Sequence, residues 1–282
     1  MNISISTVIP TYNRWPVIRR AVDSVLSQIV QADEIIVVDD GSTDNTTSKL
    51  QQHYSDRINI IQQPNQGVSA ARNHGIEHAS GNWIALLDSD DAWHPDKLQK
   101  QKQTIANNDS CVLCHTNEIW IRNGMRVNQM KKHQKSGGDV FKNSLPLCVI
   151  SPSSALIKRD IFNETGLFDT TLPACEDYDL WLRVCAKYKT HYLQEPLLTK
   201  YGGHEDQLSK RYWGMDRFRI SSLQKLLTNT QLTDEQRQAA LNTLEEKTVI
   251  LLKGAIKHNN HDLSEECHSI LKQNGLTIPV AI

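Results

Sequence analysis

The sequence lacks the glycine-rich signatures of two common nucleotide-binding folds. No G-x-G-x-x-G follows the first apolar run, and no G-x-x-x-x-G-K-[ST] occurs anywhere in the chain. Neither a dinucleotide-binding domain nor a P-loop NTPase is therefore supported. A phosphate group bound by this chain must be held by a metal ion and by side chains.

The chain also lacks a membrane-spanning run, an export signal and an excess of either charge. No apolar run approaches the ~20 residues that cross a bilayer, and the opening stretch MNISISTVIP has neither the basic nor the apolar region of a signal peptide. Because 31 Lys and Arg are balanced by 32 Asp and Glu, the net charge favours no nucleic-acid partner. The 6 cysteines are scattered and suit a reducing compartment. We therefore expect a cytoplasmic protein.

The sequence does contain an alternation of strand-like and helical segments. The runs STVIP, EIIVVDD, RINIIQQ and NWIALLD are rich in consecutive apolar residues, as are strands buried on both faces of a sheet. Between them, apolar residues at helical spacing indicate amphipathic helices. The alternation predicts an α/β fold with a mostly parallel sheet flanked by helices. In the first helix the inward positions are Ile18, Ala21, Val22, Val25, Leu26 and Ile29.

The end of the chain has a different character from the α/β part. Beyond residue 211 the sequence becomes polar and helical, and the stretch TDEQ, from Thr233 to Gln236, has the form of a capping box that opens a long helix. We expect an α/β domain over residues 1–210 and a C-terminal helical appendage over residues 211–282.

Acidic side chains follow two of the predicted strands. VVDDGSTD places Asp39 and Asp40 at a strand end, and LLDSDD places Asp88, Asp90 and Asp91 at another. In open α/β sheets such strand ends meet at the edge where ligands bind, so we expect the acids to share one rim. Carboxylates this close repel one another unless a positive group joins them. A divalent cation with a phosphate-bearing ligand is the favoured interpretation, and solvated Asp/Ser turns are the alternative.

Three further motifs are ambiguous by themselves. CEDYDLWLR puts Glu176 and Asp177 just before a predicted helix, where acids can simply complement the helix dipole. YGGHEDQLS puts His204 in a glycine-containing loop, where a histidine is usually solvated. CVLCH, from Cys111 to His115, matches the pattern of c-type haem attachment, but its apolar, strand-like setting predicts buried thiols instead.

Taken together, five motifs resemble those of family 2 glycosyltransferases with the GT-A fold: VIPTYNR, VVDDGSTD, NQGVSAARNHGI, LLDSDDAWHPDKL and EDYDLWLR. They follow the family's order over residues 5–210. The resemblance implies an inverting hexosyltransferase that moves a sugar from a nucleotide-diphosphate sugar, most often a UDP-sugar, to a hydroxyl acceptor with the help of Mn²⁺ or Mg²⁺. Bacterial surface glycan, lipopolysaccharide or capsule assembly would be typical, with a glycan or lipid-linked acceptor and at most peripheral contact with the inner face of the membrane.

The resemblance also implies roles for individual residues by matching position. Asp177 would be the catalytic base, with its neighbour Glu176 as the rival for that role. Asp90 would bind the metal directly, together with Asp88 and with His204. The donor nucleotide would contact Pro10, Thr11, Tyr12, Asp39, Asp40, Arg72 and Asp88.

Two other classes of protein stay open. A sugar-1-phosphate nucleotidyltransferase can share this sheet, but it usually carries a glycine-rich N-terminal loop with Arg and Lys, which PTYNRWP lacks. A non-catalytic sugar-nucleotide-binding protein is the other class, although none of the motif acids is missing here. Release of UDP with a glycoside, of pyrophosphate with a nucleotide sugar, or of neither product distinguishes the three.

Overall fold

The computed structural model describes residues 2–203 and 212–277 of the chain. Within them nine strands form a single sheet. The four strands predicted from the apolar runs are present, and five further strands join them. The strands are β1 (Ile5–Thr11), β2 (Glu34–Asp39), β3 (Asn59–Gln62), β4 (Trp83–Leu86), β5 (Ala92–Trp93), β6 (Leu113–Arg122), β7 (Met125–Val127), β8 (Leu156–Lys158) and β9 (His191–Gly202).

The sheet has a parallel half and a mixed half. The predicted strands lie together in the order β3-β2-β1-β4, and every pair among them is parallel. The order continues as β8-β6-β9-β5, with β7 beside β6. There β6 and β9 are parallel, whereas the other pairs are antiparallel. The pair β6–β7 must be antiparallel because a two-residue turn, Asn123-Gly124, joins its strands. The α/β fold is thus as predicted, with a sheet that is mixed as a whole.

The first helix ends earlier than its apolar pattern predicts. It stops at Leu26, and Ile29, expected on its inward face, is 63% exposed. The backbone N–H of Ile29 donates instead to the carbonyl of Pro95 at 2.8 Å, which draws the chain away from helical geometry.

The helices of the described residues are α1 (Val17–Leu26), α2 (Thr46–Tyr54), α3 (Val68–His78), α4 (Lys97–Ala106), α5 (Phe141–Ser144), α6 (Ile161–Thr165), α7 (Glu176–Lys187), α8 (Asp216–Asn229), α9 (Asp234–Lys257) and α10 (His261–Gln273).

The sheet separates two buried apolar clusters. Side chains of one strand alternate between them: Ile5 and Ile9 of β1 pack with residues of α1, α2 and α4, whereas Val8 packs with residues of α3 and α7. Gly75 lets α3 lie close to the sheet, because a Cβ there would come within 2.4 Å of Val8 Cγ1. Both faces of the central strands are therefore covered, which accounts for their continuous apolar sequences.

The C-terminal helices pack onto the α/β part. Leu223 of α8 and Leu244 of α9 belong to the same buried cluster as α7. The predicted capping box is present: Gln236 N donates to Thr233 Oγ1 at 3.2 Å, and Thr233 N donates to Gln236 Oε1 at 3.1 Å. In the described part of the chain no helix is long and apolar enough to cross a membrane. The division of the chain at residue 210 stays a prediction.

The CVLCH stretch is buried inside the sheet region. Cys111 and Cys114 are 3% and 0% exposed, and burial raises the pKa of the Cys114 thiol to about 12. His115 is fully buried, and its Nε2 lies 3.1 Å from the carbonyl of Ser136. The thiols are thus buried as expected.

Candidate active site

Arg72 joins two segments that are distant in sequence. It comes from α3 and is almost wholly buried. Its Nη2 donates to Asp88 Oδ1, 16 positions away, and its Nη1 donates to Glu176 Oε1, 104 positions away, each at 2.7 Å. The guanidinium also lies 5.1 Å from the ring centre of Phe168. The exit of β4 and the start of α7 are therefore held on one cation.

The two carboxylates on Arg72 differ in their surroundings. Burial tends to raise the pKa of Asp88, but Arg72 and Lys200 outweigh it and hold that pKa below its usual range. Burial also raises the pKa of Glu176, and there Arg72 offsets the effect only in part. Asp88 is the more open of the two, with 26% of its side chain exposed against 7% for Glu176. The Asp88 carboxylate is thus ionised and within reach of a ligand.

Asp90 lies beside Asp88 with less positive charge around it. Burial and the neighbouring Asp88 raise the pKa of Asp90. Its Oδ2 is 3.3 Å from Arg14 Nη1, while Arg20 donates to its backbone carbonyl. A further cation bound here would relieve the repulsion between Asp88 and Asp90.

Asp91, the third acid of the run, points into the protein. It is 2% exposed, accepts from Ser153 Oγ at 2.7 Å and accepts from Tyr201 N at 3.2 Å. Ser153 Oγ in turn accepts from Asp88 N at 3.0 Å. Asp91 therefore orders the loop that presents Asp88.

Glu176 and Asp177 begin α7 but have different exposures. Glu176 is buried against Arg72, whereas Asp177 is half-buried. Asp177 Oδ1 accepts from Tyr178 N at 2.7 Å, and Cys148 Sγ lies 3.3 Å from Asp177 Oδ2. Of the two acids, Asp177 is the more accessible to solvent.

The acids at the end of β2 are engaged by the protein itself. Asp39 accepts from Ser42 N at 2.9 Å and from Thr47 Oγ1. Asp40 accepts from Gln63 Nε2, from Gln66 N and from Gly67 N, at 2.7 to 2.8 Å. Both carboxylates thus order loops at the carboxyl-terminal edge of the parallel strands.

The expected nucleotide residues of β1 lie at the same edge. Pro10 and Thr11 are buried at the end of the strand, and Tyr12 directly after it is 46% exposed. The rim residues predicted from the strand ends are therefore together, as the topology required. Contact with a nucleotide stays a prediction for each of them.

A lysine that no sequence motif indicated lies at the centre of this site. Lys200 lies on β9, and its Nζ is 3.4 Å from Ser151 Oγ. Burial tends to lower the pKa of Lys200, but the pKa is raised overall by four surrounding carboxylates, those of Glu118, Asp91, Asp88 and Asp177. A charged residue in the otherwise apolar run PLLTKY was the signal that could have pointed to it.

A second buried lysine supports the same region. Lys135 Nζ lies 3.2 Å from Glu118 Oε2, 3.0 Å from the carbonyl of Val149 and 3.3 Å from Ser151 Oγ. Both lysines thus meet at Ser151. Cys148, also absent from the predicted site, touches Asp177 as described above.

One predicted ligand cannot be placed, because His204 lies outside the described residues. Among the residues that are described, no three or more His, Cys, Asp or Glu side chains are grouped so as to hold a metal ion. A metal at this rim would therefore need ligand atoms beyond those of the described carboxylates.

The Arg72 bridge leads to a prediction about stability. Arg72→Leu leaves the Asp88 and Glu176 carboxylates without their shared cation, so the free energy of unfolding should fall by about 3–5 kcal/mol. Urea denaturation measures it. The matched control is Lys142→Leu, which removes an exposed ion pair to Glu235 and should leave the urea midpoint unchanged. An Arg72→Leu protein as stable as the control would contradict the role given to the bridge.

Comparison with known proteins places the chain in a family. The sequence profile of glycosyl transferase family 2 matches residues 6–166. The TuaG glycosyltransferase of Bacillus subtilis (strain 168), named for a proposed part in teichuronic acid biosynthesis, is 31% identical over 216 residues, which cover 74% of this chain and 82% of TuaG. Three Rickettsia glycosyltransferases at 31–32% identity are longer, and this chain spans 31–35% of their length.

Solved structures show the same fold at low sequence identity. S. aureus TarS 1-349 in complex with UDP-GlcNAc superposes with a TM-score of 0.65 at 16% identity, covering 98% of this chain and 93% of that one. The mannosyltransferase PcManGT from Pyrobaculum calidifontis, in complex with GDP-Man and Mn²⁺, gives 0.62 at 16% identity over 98% and 85%. The expected GT-A fold with C-terminal helices is confirmed. The chain belongs to glycosyl transferase family 2.

Proposed function

We propose that this protein is an inverting, metal-dependent glycosyltransferase that moves a sugar from a UDP-sugar to a hydroxyl acceptor. The observation that carries the proposal is the meeting of two acidic segments at Arg72, with Asp88 and Asp90 on one side and Glu176 and Asp177 on the other. A single displacement needs one group of charges for the leaving diphosphate and a separate base for the attacking hydroxyl. The two segments supply one each.

The donor end would use Asp88 and Asp90. Mg²⁺ or Mn²⁺ in phosphate complexes takes one or two carboxylates, with the remaining ligands from phosphates and water. The paired carboxylates fit such an ion, since burial and the neighbouring Asp88 together raise the pKa of Asp90. When bound, the metal neutralises the leaving diphosphate. Asp90 would be the direct ligand, Asp88 would be fixed in place by Arg72, and His204 would be a further ligand.

The nucleotide would lie across the ends of β1 and β2. Tyr12 offers an exposed ring for the base, next to Pro10 and Thr11 at the end of β1. Asp39 and Asp40 order the two loops that border this edge. Their carboxylates would accept hydrogen bonds from the imide N–H and the ribose hydroxyl groups of the uridine.

The acceptor end would use Asp177 as the base. As the acceptor oxygen forms its bond to the anomeric carbon, the bond from that carbon to the diphosphate breaks, and its electron pair leaves with UDP. The proton of the acceptor hydroxyl passes to Asp177. Attack from the face opposite the diphosphate inverts the configuration of the sugar. Glu176 would orient the start of α7 through Arg72 and would not itself take the proton.

Surface-glycan assembly is the setting that we propose for the reaction. It is supported by the similarity to TuaG, which is named for teichuronic acid biosynthesis. The acceptor would be a growing glycan, either free or linked to a lipid. A lipid-linked acceptor would require the enzyme to dock on the membrane from the cytoplasmic side.

The metal assignment predicts the behaviour of an Asp90 variant. Asp90→Ala should abolish Mn²⁺-dependent UDP binding in calorimetric titration, because the diphosphate loses its link to the protein. Asp88→Ala should weaken binding less. Asp96→Ala, a change at a partly exposed ion pair with Lys100 nearby in sequence, is the control and should bind UDP like the wild type. Unchanged UDP affinity with Mn²⁺ in the Asp90 variant would rule the assignment out.

The base assignment predicts a separation of chemistry from binding. Asp177→Asn keeps the shape of the side chain and removes the proton acceptor, so transfer should fall by about 10²-fold or more. Affinity for the UDP-sugar should stay nearly constant, because only the transition state is affected. Glu176→Gln is the comparison: a loss of transfer confined to that variant, with Asp177→Asn near normal, would move the role of base to Glu176.

A further inference from the structure

A strongly basic segment projects from the sheet at β6 and β7. Residues 119–138 contain five Lys or Arg residues and no Asp or Glu. Lys135 is buried against Glu118. The other four side chains, those of Arg122, Arg126, Lys131 and Lys132, are exposed, and none is in an ion pair with a carboxylate of the described residues. We call residues 119–138 the basic hairpin.

The basic hairpin also exposes two large apolar side chains. Met125, directly after the turn, is 70% exposed, and Met130, just before the lysine pair, is 58% exposed. Cations interspersed with exposed apolar side chains are typical of surfaces that bind anionic bilayers, where phosphate headgroups attract the cations and the interface takes up the apolar groups. A dissolved polyanion would neutralise the cations but would leave the two methionine side chains exposed to water.

The basic hairpin is held firmly by the sheet. Trp120 Nε1 donates to Glu118 Oε1 at 2.6 Å, and its ring lies 5.2 Å from that of His133. Gln129 Nε2 donates to the carbonyl of Glu118 at 2.8 Å. The turn itself is built from Asn123 and Gly124, with φ of 50° and 78°, the left-handed conformations of a tight hairpin. A surface fixed in this way is in place before it meets a partner.

The basic hairpin lies close to the site. In the register of the sheet, Trp120 of β6 is opposite Val127 of β7 on one side and opposite Lys200 of β9 on the other. Lys200 faces the acids of the site, and the turn begins three residues beyond Trp120, which is roughly 10 Å at about 3.3 Å per residue. A surface touching the turn would therefore lie near the acceptor end.

We propose that the basic hairpin docks the enzyme on an anionic phospholipid surface, with Met125 and Met130 at the interface and the four exposed cations on the headgroups. This inference rests on the proposed function only for its purpose, which is to bring the site to a lipid-linked acceptor. Lipid binding itself requires no sugar transfer, so the two proposals can fail separately.

Vesicle sedimentation with the full chain tests the proposal. The wild type should bind vesicles of phosphatidylglycerol and phosphatidylethanolamine, bind them less as salt rises, and not bind pure phosphatidylcholine. Arg126→Glu/Lys131→Glu/Lys132→Glu should lower the affinity by about 10²-fold, since each basic residue contributes about a fivefold factor. Met125→Ser/Met130→Ser should lower it by about tenfold.

The control carries the same change of charge elsewhere. Lys189→Glu/Lys253→Glu/Lys257→Glu alters three exposed lysines outside the basic hairpin, two of them on α9 beside the exposed Ile250 and Ile256. This control has the same net charge as the triple hairpin variant, but it should bind the vesicles much more tightly. Greater loss in this control would assign the surface to α9 and overturn the proposal.

Two further readouts make the result decisive. In one contrary outcome, the wild type binds heparin as tightly as the vesicles, and the methionine changes leave both affinities unaltered. That combined result would indicate a site for polyanions and would also overturn the docking proposal. Circular dichroism and UDP titration with Mn²⁺ should be unchanged in all three variants. Loss of vesicle binding with UDP binding retained attributes the effect to docking, while vesicle binding by a wild type that does not bind UDP would contradict the proposed function alone.

Discussion

The ion bridge of Arg72 is the interaction on which the site depends. Burying a guanidinium and two carboxylates is costly unless all are paired with good geometry, and here one planar group donates to Asp88 and to Glu176 at 2.7 Å each. A lysine would not hold both carboxylates in one fixed geometry, because its ammonium lacks the rigid fork of donors. The bridge sets α7, and with it Asp177, at a fixed position relative to the exit of β4. Close packing of α3 on the sheet at Gly75 keeps Arg72 at the distance from the sheet that the bridge requires.

Around the bridge, each of the two acidic segments contains one buried acid and one that is more exposed. Asp91 is directed inward to Ser153 and the backbone of Tyr201, and Ser153 in turn accepts from the backbone N–H of Asp88, whose side chain stays partly exposed at the rim. Glu176 is buried on Arg72, so that its neighbour Asp177 is left accessible. In each pair the buried acid positions the other. Lys200 of β9, among four carboxylates, supplies positive charge from the mixed half of the sheet.

The sequence predicted the parts of the fold that local patterns encode. Continuous apolar runs identified β1 to β4, and the geometry of parallel strands then predicted that Asp39, Asp40, Asp88 and Asp90 would share a rim. Lys200 could not be found that way, because its place depends on the long-range pairing of β6 with β9. Which of Glu176 and Asp177 is buried likewise depends on which of them meets Arg72, 104 positions from Glu176. The helix end at Ile29 was missed because a contact with Pro95, distant in sequence, overrides the apolar period.

The proposed function requires the acids of the rim to bind a nucleoside diphosphate together with a divalent metal. Thermal unfolding with UDP, GDP, UTP and Mn²⁺, singly and in combination, tests it most directly, because a ligand at 100 times its Kd stabilises the folded state by about 2.7 kcal/mol. We predict that UDP with Mn²⁺ raises the Tm by more than the sum of the two separate shifts, and by more than GDP or UTP with the same metal. An equal shift with UDP whether or not Mn²⁺ is present, or no shift with any nucleotide, would contradict the claim.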